Sequence, residues 1–219
     1  SGLSDGELSL EVTLTDAAGN TGDAAQAQID KDTAAPAAPQ ITAFTDPVNT
    51  ANEGGITLAG TGEPGATVNY SIASDGGTAT PVTGTTAIDD AGDFSDTTID
   101  VSMLADGTLT VAVSAEDAAA NTSGEVTADA TKDTVAPSDY TAAFDNEWVN
   151  AANETTVSFS LTDAEVGAAY AYTIRDTQIR AVVEGTGTVE AANQGVTGID
   201  VSGLSDGELS LEVTLTDAA

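Results

Sequence analysis

The chain has no cysteine and no histidine, and only four basic residues: Lys31, Lys132, Arg175 and Arg180. Without cysteine no disulfide can staple a domain and no thiolate can hold zinc, so stability has to come from apolar cores or a hard metal. Without histidine the commonest general base and the commonest transition-metal ligand are missing. Aromatic residues make up 4% of the chain, so its cores are expected to consist of Val, Leu, Ile and Ala. No apolar run reaches the roughly 18 residues that a membrane-spanning helix needs, and membrane insertion is not expected. No leader is visible at Ser1, so any export signal is expected to lie elsewhere in a longer protein.

What is abundant is negative charge. Asp and Glu number 36 against 4 basic residues, for a net charge of −32. Phosphate backbones and anionic membranes repel such a chain, so nucleic acid is not an expected partner. Most of these carboxylates read as solvated surface. Some are candidates to converge on a hard cation such as calcium.

The chain repeats itself. Residues 1–18, SGLSDGELSLEVTLTDAA, recur unchanged at 202–219. A half-period is also visible: DGELSLEVTLTDAAGNT (5–21) aligns with DGTLTVAVSAEDAAANT (106–122), KDTAAP (31–36) with KDTVAP (132–137), and ANE (51–53) with ANE (152–154). A unit of roughly 100 residues is the size of one immunoglobulin-like sandwich. Leu8, Leu10, Val12 and Leu14 alternate with polar residues, as do Leu109, Val111, Val113 and Ala115. That period of two marks half-buried strands. Further strands are predicted at Ile56–Ala59, Thr67–Ile72, Val157–Leu161 and Ala169–Ile174, with DG, GN, GG and PG turns between them. The expected fold is all-β: tandem immunoglobulin-like antiparallel sandwiches in a linear array. Residues 1–33 read as the last strands of a preceding repeat, 34–135 as a complete repeat, and 136–219 as a repeat lacking its last strand.

LAGTGEPGATV (58–68), DDAGDF (89–94), DGTLTVAVSAEDAAANTS (106–123) and KDTVAP (132–137) follow one another in that order. Together they resemble the bacterial Ig-like repeats of giant RTX-type adhesins, the biofilm-associated and LapA-like proteins. The third repeat, with VNAANETTVSF (149–159), resembles a sister repeat of the same arrays. The resemblance implies an extracellular or cell-surface stalk of many sandwiches, with calcium at the joints. Ala120 departs from the pattern, since it stands where the first copy of the loop has Gly19.

Sandwich topology gathers acids at the joints. The leading end of the second repeat is expected to carry Glu63, Asp89, Asp90, Asp93, Asp117 and Asn121. The incoming linker adds Asp32 and Asp30, and the preceding DG turn adds Asp5. The next joint is expected to gather Glu165, Asp163 and Asp217 with Asp133 and Asp106. Two carboxylates about 5 Å apart repel by roughly 3 kcal/mol at an effective dielectric near 20, so such a cluster invites a cation. Calcium takes 6–8 oxygens in irregular geometry, and Ca2+ is the expected ligand. The trio of linker Asp, loop Glu and last-loop Asp (Asp32, Glu63, Asp117, then Asp133, Glu165, Asp217) carries this expectation, and the other acids are secondary. No EF-hand loop is present. Lys31 and Lys132 read as solvated, and Trp148 as core or rim packing.

A site repeated every hundred residues argues against an enzyme, and few aromatics are present to build a sugar cleft. The leading expectation is a structural extender whose partners are neighbouring repeats. The alternatives are a self-assembling filament or S-layer subunit joined head to tail by strand complementation, and a ligand-binding Ig-like module.

Overall fold

The computed structural model describes residues 2–177 and 181–219. Ser1, the first residue of the expected leading segment, lies outside the described residues, as does Arg180. The chain divides into two compact units, Ser1–Asp133 and Thr134–Ala219.

The first unit opens with β1 (Gly6–Val12) and β2 (Ala25–Lys31), which pair antiparallel as a two-stranded sheet. Alternation places Leu8, Leu10 and Val12 on one face. Nothing covers that face fully, so Leu10 is 59% exposed and Ile29 of β2 is 70% exposed.

Seven strands follow: β3 (Gln40–Phe44), β4 (Ile56–Thr61), β5 (Thr67–Ser74), β6 (Val82–Ala87), β7 (Asp93–Ile99), β8 (Gly107–Glu116) and β9 (Val126–Lys132). They form one antiparallel sheet in the order β3-β4-β7 and a second in the order β6-β5-β8-β9. This is an immunoglobulin-like sandwich. Each central strand sends alternate residues inward: Ile56 and Leu58 from β4, Val68 and Ile72 from β5, Leu109, Val111 and Val113 from β8, all fully buried. Tyr70 of β5 also points inward, and its hydroxyl donates to Asp96 Oδ2 at 2.8 Å, tying one sheet to the other.

Among the described residues the second unit has six strands: β10 (Thr141–Phe144), β11 (Val157–Thr162), β12 (Ala169–Asp176), β13 (Val182–Thr188), β14 (Gln194–Ile199) and β15 (Leu209–Thr216). Its sheets run β10-β11-β14 and β13-β12-β15. They match β3 to β8 one for one, so β15 is the counterpart of β8 and stands at a sheet edge. Val157, Phe159, Leu161 and Ile174 form the centre of its core.

Candidate functional site

Strand register brings the acidic loops of the first unit to one end of the sandwich. Thr61 lies opposite Asp93, and Thr67 lies opposite both Ala87 and Glu116. The loops that follow β4, β6 and β8 therefore share an end, with Glu63, Asp89, Asp90, Asp117 and Asn121 on them and Asp93 at the start of β7. Gly62 N donates to Gly92 O at 2.9 Å, which joins the first two loops directly. The linker reaches the third: Asn121 Nδ2 donates to Asp32 O at 3.4 Å.

Much of the acidic side-chain capacity at this end is spent inside the loops. Asp117 Oδ1 accepts from Ala119 N at 2.8 Å and Asn121 N at 2.9 Å, while Oδ2 accepts from Asn121 Nδ2 at 2.9 Å. These bonds, the Asn121 ones foremost, hold the Asp117 carboxyl below the usual carboxylate range. Asp89 Oδ1 accepts from Ala91 N and Asp93 N, each at 2.9 Å. Asp32 Oδ1 caps Ala34 N at 3.0 Å. Glu63 and Asp90 are exposed, and Asp30 stands exposed on β2 opposite Glu7. Asp5 accepts from Lys31 and, at 2.9 Å, from Thr33 Oγ1.

In the second unit, register places the loop of Asp163 and Glu165 and the loop opened by Asp217 at one end, because Ala169 lies opposite Thr216. Asp217 Oδ1 accepts from Ala219 N at 3.0 Å. Asp133 belongs to the first unit, where its N–H donates to Val48 O at 2.9 Å. The donors at both ends are oxygens, as calcium prefers. Among the described residues no three acidic side chains gather closely enough to hold a metal ion.

The loop that opens with Asp117 has a twin. Asp16 Oδ1 accepts from Ala18 N and Asn20 N, and Oδ2 from Asn20 Nδ2, all at 2.9 Å. The twin loop turns through Gly19 at φ 93°, and its counterpart Ala120 makes the same turn at φ 65°. Ala120 thus keeps the loop geometry in a left-handed conformation that costs an alanine about 1–2 kcal/mol. Ala120→Gly is expected to stabilise the first unit by about 0.5–1 kcal/mol, after glycine's larger unfolded-state entropy is deducted. A thermal melt of the two proteins checks this, and an unchanged or lower midpoint would contradict it.

The structure corrects two readings. Lys132 is not solvated: it is 3% exposed, and its Nζ lies 2.9 Å from Glu53 Oε2 and 3.3 Å from Asp106 Oδ1. Burial alone pushes its pKa down, but the hydrogen bonds to Glu53 and Asp106 outweigh that and leave it above the ordinary lysine value. The one signal for Glu53 in the sequence is that ANE recurs at the same offset as the KD pair. Lys31 makes a single, more exposed pair with Asp5. Of the two readings for Trp148, the core one is overturned and the rim one stands: at 77% exposed it lines an open groove beside β15.

No family model matches the chain, and no curated protein matches it. Among solved structures it is similar to a tetra-tandem repeat in the extending region of a large adhesion protein, at 29% identity and TM-score 0.40, over 98% of this chain and 54% of that one. The chain thus spans about half the length of that structure. It is also similar to a structure concerned with host cell surface retention of a 1.5-MDa bacterial ice-binding adhesin, at 22% identity and TM-score 0.42, over 98% of this chain and 74% of that one. The chicken CNTN1 FN1-FN3 domains are a third, at 14% identity and TM-score 0.38, over 96% and 70%.

Proposed function

We propose that this chain is an extender segment of a large extracellular bacterial adhesin, a run of stalk repeats that sets distance and presents no catalytic site. One observation carries the reading. The sandwich returns at a spacing of about 100 residues instead of being built once, and the linker Asp, the loop Glu and the last-loop Asp recur with it in the sequence. An active site or a receptor pocket gains nothing from such recurrence, whereas a spacer is made of it. The charge of −32 keeps such a stalk soluble and away from anionic surfaces.

Calcium at the joints is the finer part of the proposal. Within the first unit Asp32, Glu63, Asp117 and Asn121 would hold it once their side chains turn toward one another, since as they stand no three acids converge among the described residues. The support is the recurrence of the trio and the Asn121–Asp32 approach, which already brings last loop and linker together. Bound calcium would neutralise the loops and fasten the linker to them.

The expected affinity is that of extracellular modules, on the order of 10⁻⁴–10⁻³ M. At ten times the dissociation constant, binding to the native state adds about 1.4 kcal/mol. Melting curves in calcium, in chelator and in magnesium at equal ionic strength are the test, run on the wild type and on Asp32→Ala and Glu63→Ala. The wild type should gain melting temperature in calcium alone, and both variants should lose most of that gain. An equal response in all three proteins would leave these carboxylates as surface only.

A further inference from the structure

The last strand of the sandwich in the first unit is fastened by the segment that follows its first strand. β3 runs from Gln40, opposite Thr61, toward the end of the sandwich where Ile56 begins β4. β9 runs the same way, with Val126 opposite Val113 and Lys132 opposite Gly107. Past Phe44 the chain meets the edge of β9 that faces away from β8, and it does so in parallel, with Val48 beside Lys132. Val48 N donates to Thr131 O at 2.8 Å, and Asp133 N donates to Val48 O at 2.9 Å. Thr131 N donates to Asp46 Oδ1 at 2.9 Å. The Val48 side chain is fully buried in the core, so the contact is anchored from beneath.

Lys132 reinforces this contact from its side chain. Its Nζ lies 2.9 Å from Glu53 Oε2 and 3.3 Å from Asp106 Oδ1. The two carboxylates belong to different parts of the sandwich. Asp106 stands in the turn just before β8. Glu53 closes a tight turn right after Val48: Glu53 N donates to Asn49 O at 2.9 Å, and Asn49 N donates to Asn52 Oδ1 at 2.8 Å. That turn is itself tied to the segment after β7, because Val101 N donates to Glu53 O at 2.8 Å. One ammonium group therefore pins the end of β9 both to the turn before β4 and to the turn before β8.

Direction decides what this contact resists. Tension along the chain enters this sandwich through the linker before β3 and leaves through the linker after β9. It draws Gln40 toward one end and Lys132 toward the other. Parallel segments drawn this way slide past one another, so the three hydrogen bonds and the two ion pairs are loaded together and none opens alone. A hairpin pulled from its open end, in contrast, gives up one bond at a time. Burial of Val48 and Lys132 keeps water from replacing these bonds as they stretch. We propose that residues 46–48 and 131–133, latched by Lys132 on Glu53 and Asp106, form a shear clamp that sets the resistance of this sandwich to being pulled open along the chain. The inference rests on the extender reading, because a stalk that holds something at a distance has to carry load. It does not involve calcium.

The test is unfolding of the full 219-residue chain at constant force. The chain has no cysteine of its own, so Ala35→Cys and Ala136→Cys, both at exposed linker positions, give one handle on each side of the sandwich. Opening between them releases about 100 residues, roughly 30 nm of chain. Lys132→Met and Asp46→Ala are compared in this background with Val68→Ala, a fully buried core change at the opposite end of the sandwich. Urea unfolding of each variant gives its equilibrium loss. Forced unfolding reads the rate of crossing the barrier instead, and a clamp that gives way at that barrier puts its whole contribution into the rate. Lys132→Met is expected to open at least about tenfold faster than the wild type at equal force, and Asp46→Ala about threefold faster. Val68→Ala should change the rate less than about threefold, because the core is still packed when the clamp parts. If Val68→Ala speeds opening as much as Lys132→Met for the same loss in urea, the contact is ordinary stability and the proposal is overturned. Asp46 is exposed and its variant keeps the fold, so an Asp46→Ala rate equal to the wild type overturns it as well. Either result leaves the extender reading standing, since it concerns the strength of a repeat and not its use. Failure of that reading would show instead as a catalytic or ligand-binding activity of the chain, with the forced-unfolding rates unaltered.

Discussion

Phe159→Ala is expected to destabilise the second unit by about 3–5 kcal/mol, the largest effect of any single change considered for this chain. Phe159 stands on β11 opposite Phe144 of β10 and Val196 of β14. Its side chain is fully buried, and the ring meets Tyr172 edge-on at 5.2 Å and 70°. Truncation removes the buried ring, leaves a cavity that flanking strands cannot close, and deletes an aromatic pair worth about 0.5–1.5 kcal/mol beyond its area. The loss falls on a unit with little in reserve. The residues of β15 are only half-buried, and domains of this size hold about 5–15 kcal/mol in all. Phe159→Leu keeps most of the volume and is expected to cost less than about 1.5 kcal/mol. Urea unfolding reads the difference. Trp148 is the sole tryptophan and belongs to this unit, so its emission reports the unit separately from the first. A loss below about 1 kcal/mol at unchanged denaturant slope would mean that the ring does not anchor this core.

The strands legible in the sequence are the ones that bury an alternating apolar face. Ile56–Ala59, Thr67–Ile72, Val157–Leu161 and Ala169–Ile174 lie within β4, β5, β11 and β12, and Leu109–Ala115 lies within β8. The strands that pattern alone does not reveal are of another kind. β6 reads VTGTTA and β13 reads VVEGTGT, edge strands of small and polar residues that no core residue periodicity marks. The site was legible only in part for the same physical reason. Repetition picked out the loops of Glu63 and Asp117, and sandwich topology put them and the loop of Asp89 at one end. Nothing local says which partner each carboxylate takes. Asp106 lies beside its DG turn in the sequence, yet its cation comes from Lys132, and Glu53 joins the same lysine from the loop before β4. Such partners are set by which strand ends meet across the sandwich, a property of the assembled sheets.

Lys132→Met is expected to cost the first unit about 2–3 kcal/mol, whereas Lys31→Met should change it by less than about 1 kcal/mol. The motif is the same, Lys followed by Asp at the end of a strand, and only the surroundings differ. Removing the cation from a buried pair strands the carboxylates and typically costs about 3–5 kcal/mol. Here Glu53 and Asp106 keep side-chain exposures of 24% and 32%, so water recovers part of that loss. The Lys31–Asp5 pair is more exposed on both sides, and such pairs contribute about 0–1 kcal/mol. If stranded charge is the cause, Lys132→Met combined with Glu53→Gln and Asp106→Asn should regain most of the loss. A triple variant as unstable as the single one would assign the effect to lost packing of the lysine stem instead. The pH dependence gives a second check. The folded pKa of Lys132 lies above its ordinary value, so its contribution is full below pH 10.5 and is lost as pH rises through the raised folded value. Tyr70 acts in the same direction: burial, then its bond to Asp96, pushes its pKa up to about 12, so its share fades between pH 10 and about 12. The wild-type first unit should therefore weaken steadily in that alkaline window. Lys132→Met should start lower and fall less, retaining only the part that belongs to Tyr70, and parallel alkaline melts of the two proteins would remove Lys132 from this account.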